Sequence, residues 1–591
     1  MNTSTQGAVF VSVKNKIIKP LELAVIVSGL TLTSAVSHGV EFFMDVEGSF
    51  SSQLSIGSSW RMSDPDDALL LPGNNNDGNA NFEKGDAFSQ IIKGSHDLHL
   101  RSGDHGVFIR GKYWHDFALE DTKVAHGHAA NDFTENEKLN DKDFNQLSKF
   151  SGAALLDAYV YGMYEIGYTP IDVRLGRQVV SWGESTFILG GVNSINPVDV
   201  NAFRRPGAEI KEGLLPVNMA YVNVGLTEFL SMEAFYQLEF QETVIPGCGT
   251  YFAFNDYAPE GCDKVILSGA STDALALAGG AVLSRDVDGN RAAKDDGQFG
   301  IAFRYMSEAL GDTEFGFYAM NIHSRLPVVS GVKSTTWMSA ASAAPADQMA
   351  AINNNKADTF YYVSYPEDIQ LAGLSFAANV GSMAVSGEVS HKKDVSLQIN
   401  ATQLLGAGLT GLSTSAELAA DVAATTNGAD FLGYRLFDIS QAQFTMLQFF
   451  DRFLGASRYT LIAEAGYTFV HDLDESDNAI KFSRAGIFDG AEEGFVTESS
   501  WGYRTRLVGE YRNVFAGVAL KPTLAFSHDV EGFAPQPGGA FKEGEQSVGF
   551  TLQADYQSMY SASVSYTSYM GGDYNLSADR DFASVSMSVQ F

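Results

Sequence analysis

The chain closes on Asp581-Phe582-Ala583-Ser584-Val585-Ser586-Met587-Ser588-Val589-Gln590-Phe591, a stretch whose polarity switches at every residue from Ala583 onward. Ala583, Val585, Met587, Val589 and Phe591 fall on one face, and Ser584, Ser586, Ser588 and Gln590 on the other. Successive side chains of a β-strand point to opposite faces, so this strand has one side suited to an apolar surrounding and one suited to water. The same period returns upstream. Val548, Phe550, Leu552, Ala554 and Tyr556 alternate with Gly549, Thr551, Gln553, Asp555 and Gln557. Tyr459, Leu461, Ala463, Ala465, Tyr467 and Phe469 do so with Arg458, Thr460, Glu464 and Thr468. Near the other end, Phe50, Ser52, Leu54, Ile56 and Trp60 alternate with Ser49, Ser51, Gln53 and Ser55. Soluble sandwiches alternate too, so the period alone leaves two fold classes open.

The connections separate them. Strands are expected at 48–62, 94–102, 105–118, 152–167, 170–182, 214–225, 229–241, 298–307 and 313–326. The remainder fall at 367–380, 382–394, 437–450, 457–471, 499–512, 514–528, 545–557, 560–571 and 581–591. The gaps between them alternate long and short throughout: 63–93 precedes Gly103-Asp104, and 119–151 precedes Tyr168-Thr169, through to 529–544, Ser558-Met559 and 572–580. Short turns on one rim, long loops on the other and an even strand count mark bacterial outer-membrane barrels. The expected fold is therefore all-β, a transmembrane antiparallel β-barrel of about 18 strands with long extracellular loops. The parity puts both ends of the barrel on the short-turn, periplasmic side. A terminal Phe591 after such alternation resembles the signal read by the barrel assembly machinery, an expected partner together with outer-membrane lipid and lipopolysaccharide.

Composition agrees. Charged residues are 19% and hydrophobic residues 45% of the 591, which fits neither a disordered tail nor a bundle of membrane helices. Lys14, Lys16 and Lys19 precede the apolar run Leu21 to Val36 and small residues at cleavage-like spacing, so residues 1–39 read as a secretory signal peptide and 40–591 as the barrel. An N-terminal anchor helix is the alternative, but Glu22 interrupts the run. Without that segment the formal net charge falls from -32 to about -34, a poor match for nucleic acid. Cys248 and Cys262 are 14 apart, and in an exported chain the simplest reading is one disulfide closing a loop.

On the parity opposite to the lipid-facing residues stand Arg101, Arg110, Lys112, Arg174, Glu233, Glu239, Arg304, Glu464, Arg504, Arg506, Glu510 and Arg512. An unpaired charge in lipid is costly, so these residues belong to a wet lumen, where they brace the wall in pairs or contact solute. Barrels of 16–18 strands are wide enough for an aqueous channel unless plugged. The loops are acidic, as in Asp64 to Asp67, and either bind divalent cations among lipopolysaccharide phosphates or are simply solvated. Asp286, Asp288 and Asn290 mimic the start of a calcium loop, but Gly297 stands where its closing Glu belongs. No spaced cysteine or third ligand accompanies His126 and His128, so neither a metal nor any other cofactor is expected. Three loop stretches, Ile266 to Leu283, Thr336 to Ile352 and Leu404 to Ala424, are rich in Ala, Leu, Met and Gly. They are expected as short helices at the mouth, offering a landing surface for a hydrophobic solute, packing on other loops, or meeting a neighbouring subunit.

The stretch from Leu175 to Cys262 carries a long motif. Gly176-Arg177-Gln178-Val179-Val180-Ser181-Trp182-Gly183-Glu184-Ser185 is followed by Asn196-Pro197-Val198-Asp199, then Arg204-Arg205-Pro206-Gly207-Ala208-Glu209-Ile210-Lys211-Glu212, and finally Val244 to Phe252. With Val46 to Phe50 and Ser59-Trp60-Arg61, it resembles the proteobacterial family catalogued as domain of unknown function thirteen-oh-two. The resemblance implies an outer-membrane barrel of a Gram-negative bacterium, associated with a resistance-nodulation-division type inner-membrane transporter and a periplasmic carrier, in the traffic of hydrophobic solutes such as steroids or lipids. The long loop after Trp182 is stiffened by prolines and carries Glu184, Arg204, Arg205, Glu209, Lys211 and Glu212. It is expected to fold inward, constrict the pore and pair with lumen Arg and Glu residues. Alternatives are a general diffusion porin for small polar solutes and an adhesive barrel without flux. A hydrolase is disfavoured, because Gly183-Glu184-Ser185-Thr186-Phe187 only begins like a nucleophile elbow. A homo-oligomer is allowed.

Overall fold

The computed structural model describes residues 40–43, 46–267 and 272–591; the expected signal peptide, 1–39, lies outside the described residues. Strands β1 (Val46–Arg61), β2 (Ala87–Ser102), β3 (His105–Asp116), β4 (Ser151–Ile166), β5 (Thr169–Gln178) and β6 (Val217–Gly225) come first. Next are β7 (Leu230–Gln237), β8 (Phe299–Ser307), β9 (Thr313–Ile322), β10 (Ile369–Val380), β11 (Met383–Gln398) and β12 (Tyr434–Asp451). The ring is completed by β13 (Arg458–Val470), β14 (Ser499–Phe515), β15 (Val518–Glu531), β16 (Gln546–Tyr556), β17 (Tyr560–Met570) and β18 (Phe582–Gln590).

Each strand pairs antiparallel with its sequence neighbours, and β1 closes the ring on β18 from Gln53↔Gln590 to Arg61↔Phe582. Phe591 extends this seam: Ser52 N donates to its carbonyl at 2.7 Å and its own N donates to Ser52 O at 2.9 Å. The result is a closed antiparallel barrel of 18 strands in which every strand edge finds a partner, as lipid demands. Leu374, Val389, Phe444, Phe550 and Val564 are exposed on the outside, while Ser375, Glu388 and Gln443, one residue away, are buried inside. No helix among the described residues is long and apolar enough to cross a membrane.

Several strand ends differ from expectation, β9 stopping at Ile322 rather than 326 and β11 running on to Gln398 rather than 394 among them. β5 stops at Gln178 rather than 182, β6 starts at Val217 rather than 214, and β7 stops at Gln237 rather than 241. Above these levels the chain leaves the wall for the lumen, where Trp182, Val192, Ile195, Met219, Phe235, Tyr318 and Leu371 share one buried apolar cluster. β2 starts at Ala87 rather than 94, because Phe88 and Ile91 are buried against loops on the inside and the alternation is lost there.

Helices α1 (Asp273–Ala278) and α4 (Ala416–Ala424) lie within the Ala- and Leu-rich loop stretches, and α2 (Gln348–Asp358) and α3 (Ala401–Thr410) overlap them in part. Much of their apolar surface faces other loops: Ala407, Leu418 and Val422 are buried with Leu397, Ile399 and Phe482. A five-stranded sheet built from the β7–β8, β9–β10 and β11–β12 loops lies among them. Asp286 and Asn290 lie along its strand Val282–Arg291 and bond Arg291 and Arg285, so they do not close a calcium loop.

Candidate constriction and vestibule

The segment from 179 to 216 enters the lumen on a tryptophan. Trp182 is fully buried against Phe235 and Tyr318, and its Nε1 donates to Glu233 Oε2 at 2.7 Å. Glu233 also accepts from Tyr221 Oη (3.0 Å) and Arg304 Nε (2.8 Å), so a wall carboxylate holds the indole. Gly183 follows with φ +86, and a Cβ there or at Gly191 would collide with the Glu388 carboxylate, which is why glycine stands at both.

Two carboxylates on the far wall then capture the backbone. Glu388 on β11 accepts from Glu184 N (2.6 Å) and Val192 N (2.9 Å). Glu464 on β13 accepts from Thr186 N (2.8 Å), Phe187 N (2.6 Å) and Ile188 N (2.8 Å). Between them Gln441 of β12 donates to Leu189 O at 2.9 Å. An ionised acceptor makes each such bond stronger than a neutral pair.

The returning arm is tied to the opposite side. Asp199 caps a short turn of helix through Ala202 N (3.1 Å) and accepts from Lys112 Nζ at 2.9 Å, with both side chains buried. Lys112 Nζ also donates to Glu212 O (3.0 Å), and Lys93 Nζ binds the Glu212 carboxylate and Gly207 O (2.8 Å). Lys211 Nζ lies 3.1 Å from Glu209 and 3.0 Å from Gln53 Oε1, and Glu209 itself accepts from Gln53. One segment thus bonds to β11–β13 and to β1–β3, sets of strands about half the ring apart. It crosses the bore.

Arg204 and Arg205 do not meet wall carboxylates, in contrast to expectation. Arg204 stacks on Phe252 (4.6 Å) and Phe254 (5.4 Å) and donates to Phe252 O at 3.1 Å. Arg205 stacks on Trp114 (4.7 Å) and donates to Leu147 O at 3.3 Å. Glu184 contributes its backbone, as above.

Most of the other expected lumen residues are paired along the wall. Arg110 bridges Asp97 (2.8 Å) and Asp157 (3.3 Å), Arg174 meets Asp172 (3.0 Å), and Arg304 links Glu233 and Glu314 at 2.8 Å each. Arg504 pairs with Asp529, Arg512 with Glu510 (3.2 Å), and Arg101 donates to Gly103 O (2.8 Å) near a short turn. Glu239 lies past the end of β7, accepting from Asn218 N at 3.2 Å. Arg506 has no ion pair among the described residues. Lys93 and Asp199 escaped sequence reading: Lys93 fell in a presumed loop, and Asp199 read as a motif residue without a partner.

Beside the crossing segment lies a vestibule of about 360 Å³ between the long loops. Its lining includes Phe252, Phe254, Tyr257, Phe533, Tyr574 and Arg204. Arg204 has no carboxylate partner among the described residues, and burial lowers its pKa from the ordinary value. The disulfide between Cys248 and Cys262 closes the loop that carries Phe252, Phe254 and Tyr257.

Closed wall, apolar exterior, charged interior and inward-folded loop define a transmembrane β-barrel whose bore is crossed by one of its own loops. The chain belongs to the family described as Protein of unknown function (DUF1302), whose model matches residues 20–591. No curated protein matches it. Among solved structures it is similar to Acinetobacter baumannii OccAB4, at 11% identity and TM-score 0.40, over 93% of this chain and 98% of that one. Pseudomonas aeruginosa OccK2 (OpdF), solved in complex with glucuronate, gives 10% and 0.39 over 92% and 97%. Likeness at that level carries no functional inference.

Proposed function

We propose that this barrel resides in the outer membrane of a Gram-negative bacterium and passes hydrophobic or amphiphilic solutes, lipid- or steroid-like, across it. The observation that carries the reading is the unpaired Arg204 guanidinium set among aromatic rings in a vestibule of about 360 Å³. That volume is in the range of small-molecule sites, and a half-buried cation without a carboxylate partner favours a solute with an apolar body and an acidic head. The segment across the bore argues against a permanently open, general diffusion porin. A periplasmic carrier and a resistance-nodulation-division type inner-membrane transporter are the partners this traffic would need, since an apolar solute does not cross the periplasm unaided.

The test is a pair of assays on reconstituted protein. Liposome swelling with small sugars should be slow, while a steroid carboxylic acid should bind and be taken up. Arg204→Ala should weaken binding of the acid by about 30-fold, the worth of one charge-assisted contact, and leave the matching neutral alcohol unchanged. Fast sugar swelling with no steroid binding would return the reading to a diffusion porin.

A further inference from the structure

Three extracellular loops far apart in sequence bring their polar side chains to one buried place. Asn76 and Asp77 come from the β1–β2 loop, His126 from the β3–β4 loop, and Asp256 and Asp273 from the β7–β8 loop. Asp77 and Asp273 are fully buried, and His126 Nε2 lies 3.4 Å from Asp77 Oδ1 and 3.2 Å from Asp273 Oδ2. Neither approach has the geometry of a hydrogen bond. The ring nitrogen, both Asp77 oxygens, Asp273 Oδ1, Asp256 Oδ1 and Asn76 Oδ1 all lack a hydrogen-bond partner among the described residues.

So many orphaned acceptors at one point are rare in a folded protein, where buried polar atoms are nearly always satisfied. The charge is also unbalanced. Three buried carboxylates face one imidazole, and the neighbouring cations Arg61 and Arg580 are taken up by Asp579, at 2.9 Å and 3.7 Å. Uncompensated carboxylates are strongly disfavoured in such a buried place.

We propose that Asp77, His126 and Asp273 are protein ligands of a divalent zinc ion that staples these three loops together. Zinc takes nitrogen and carboxylate oxygen at about 2.0–2.2 Å in a tetrahedron, whose edges are then about 3.3–3.6 Å. The two nitrogen–oxygen separations fall at or just under that range. All three ligand atoms lie within 4.8 Å of one another. Calcium suits the place less well, since it seeks six to eight oxygens and gains nothing from an imidazole. Asn76 Nδ2 donates to Asp273 Oδ2 at 2.9 Å, and Asp256 Oδ2 accepts from Asp77 N at 3.2 Å. These bonds orient two of the ligands in the manner of supporting residues at metal sites. The staple would fix the loop bearing Phe252, Phe254 and Tyr257, but it does not depend on what the vestibule binds.

The experiment uses the full mature chain, without a histidine tag, stripped with chelator in detergent and titrated with zinc alone. One zinc per chain should survive gel filtration, and His126→Ala should weaken it at least tenfold. Heat-modifiable gel mobility reports whether that variant keeps its barrel. Cobalt in the unmutated protein should give the intense visible bands of four-coordinate nitrogen and oxygen ligation. Absence of stoichiometric zinc, undiminished binding by a folded His126→Ala barrel, or a weak six-coordinate cobalt spectrum each overturns the assignment.

Discussion

Glu464→Ala is the sharpest perturbation available, because one buried side chain accepts three backbone N–H groups of the crossing segment. A hydrogen bond to a charged group contributes about 1.5–3 kcal/mol. Water entering the space left by the side chain would recover part of that, so a net loss of about 3 kcal/mol is a fair figure for the three together. At about 1.4 kcal/mol per tenfold, the undocked population should rise roughly a hundredfold. Single-channel recording in planar bilayers reads this directly. The unmutated protein should show rare openings to a large level, and Glu464→Ala should occupy that level far more often. Glu388→Ala, which removes two further bonds, should add to the effect in the double variant. A heat-modifiable, folded Glu464→Ala barrel with an unaltered conductance record would refute the claim that this carboxylate pins the segment.

Other expectations follow from the same contacts. Deleting 196–212 removes the arm held by Lys93 and Lys112 and should raise single-channel conductance; Asp199→Ala, which strands Lys112 in a buried site, should cost about 3–5 kcal/mol of local stability and speed proteolysis of this segment. Replacing Cys248 and Cys262 by serine should loosen their loop by about 3 kcal/mol, seen as faster proteolytic nicking between them with the barrel intact. Removing Phe591 deletes two bonds at the β1–β18 seam as well as the terminal aromatic, and should lower the yield of assembled barrel in membranes while the export step proceeds.

Much was legible in the chain itself. Polarity that reverses at each residue through Ala583 to Phe591, and gaps that alternate long and short, specify strand number, order and the side of each turn, because strand geometry is local and lipid tolerates no unpaired edge. The inward parity of Arg110, Arg304 and Glu464 followed from the same period. What the period could not report is where a strand stops being wall. Val180-Ser181-Trp182 still alternates, yet the chain turns inward there, because Phe235, Tyr318 and Glu233 from other strands receive the indole. Nor could spacing join Asp77 to His126 and Asp273, which only loop packing places within 4.8 Å. Local periodicity determined the barrel; partners supplied by distant strands and loops decided what fills its bore and what holds its mouth, since those contacts are properties of three-dimensional closure and leave no repeat in the sequence.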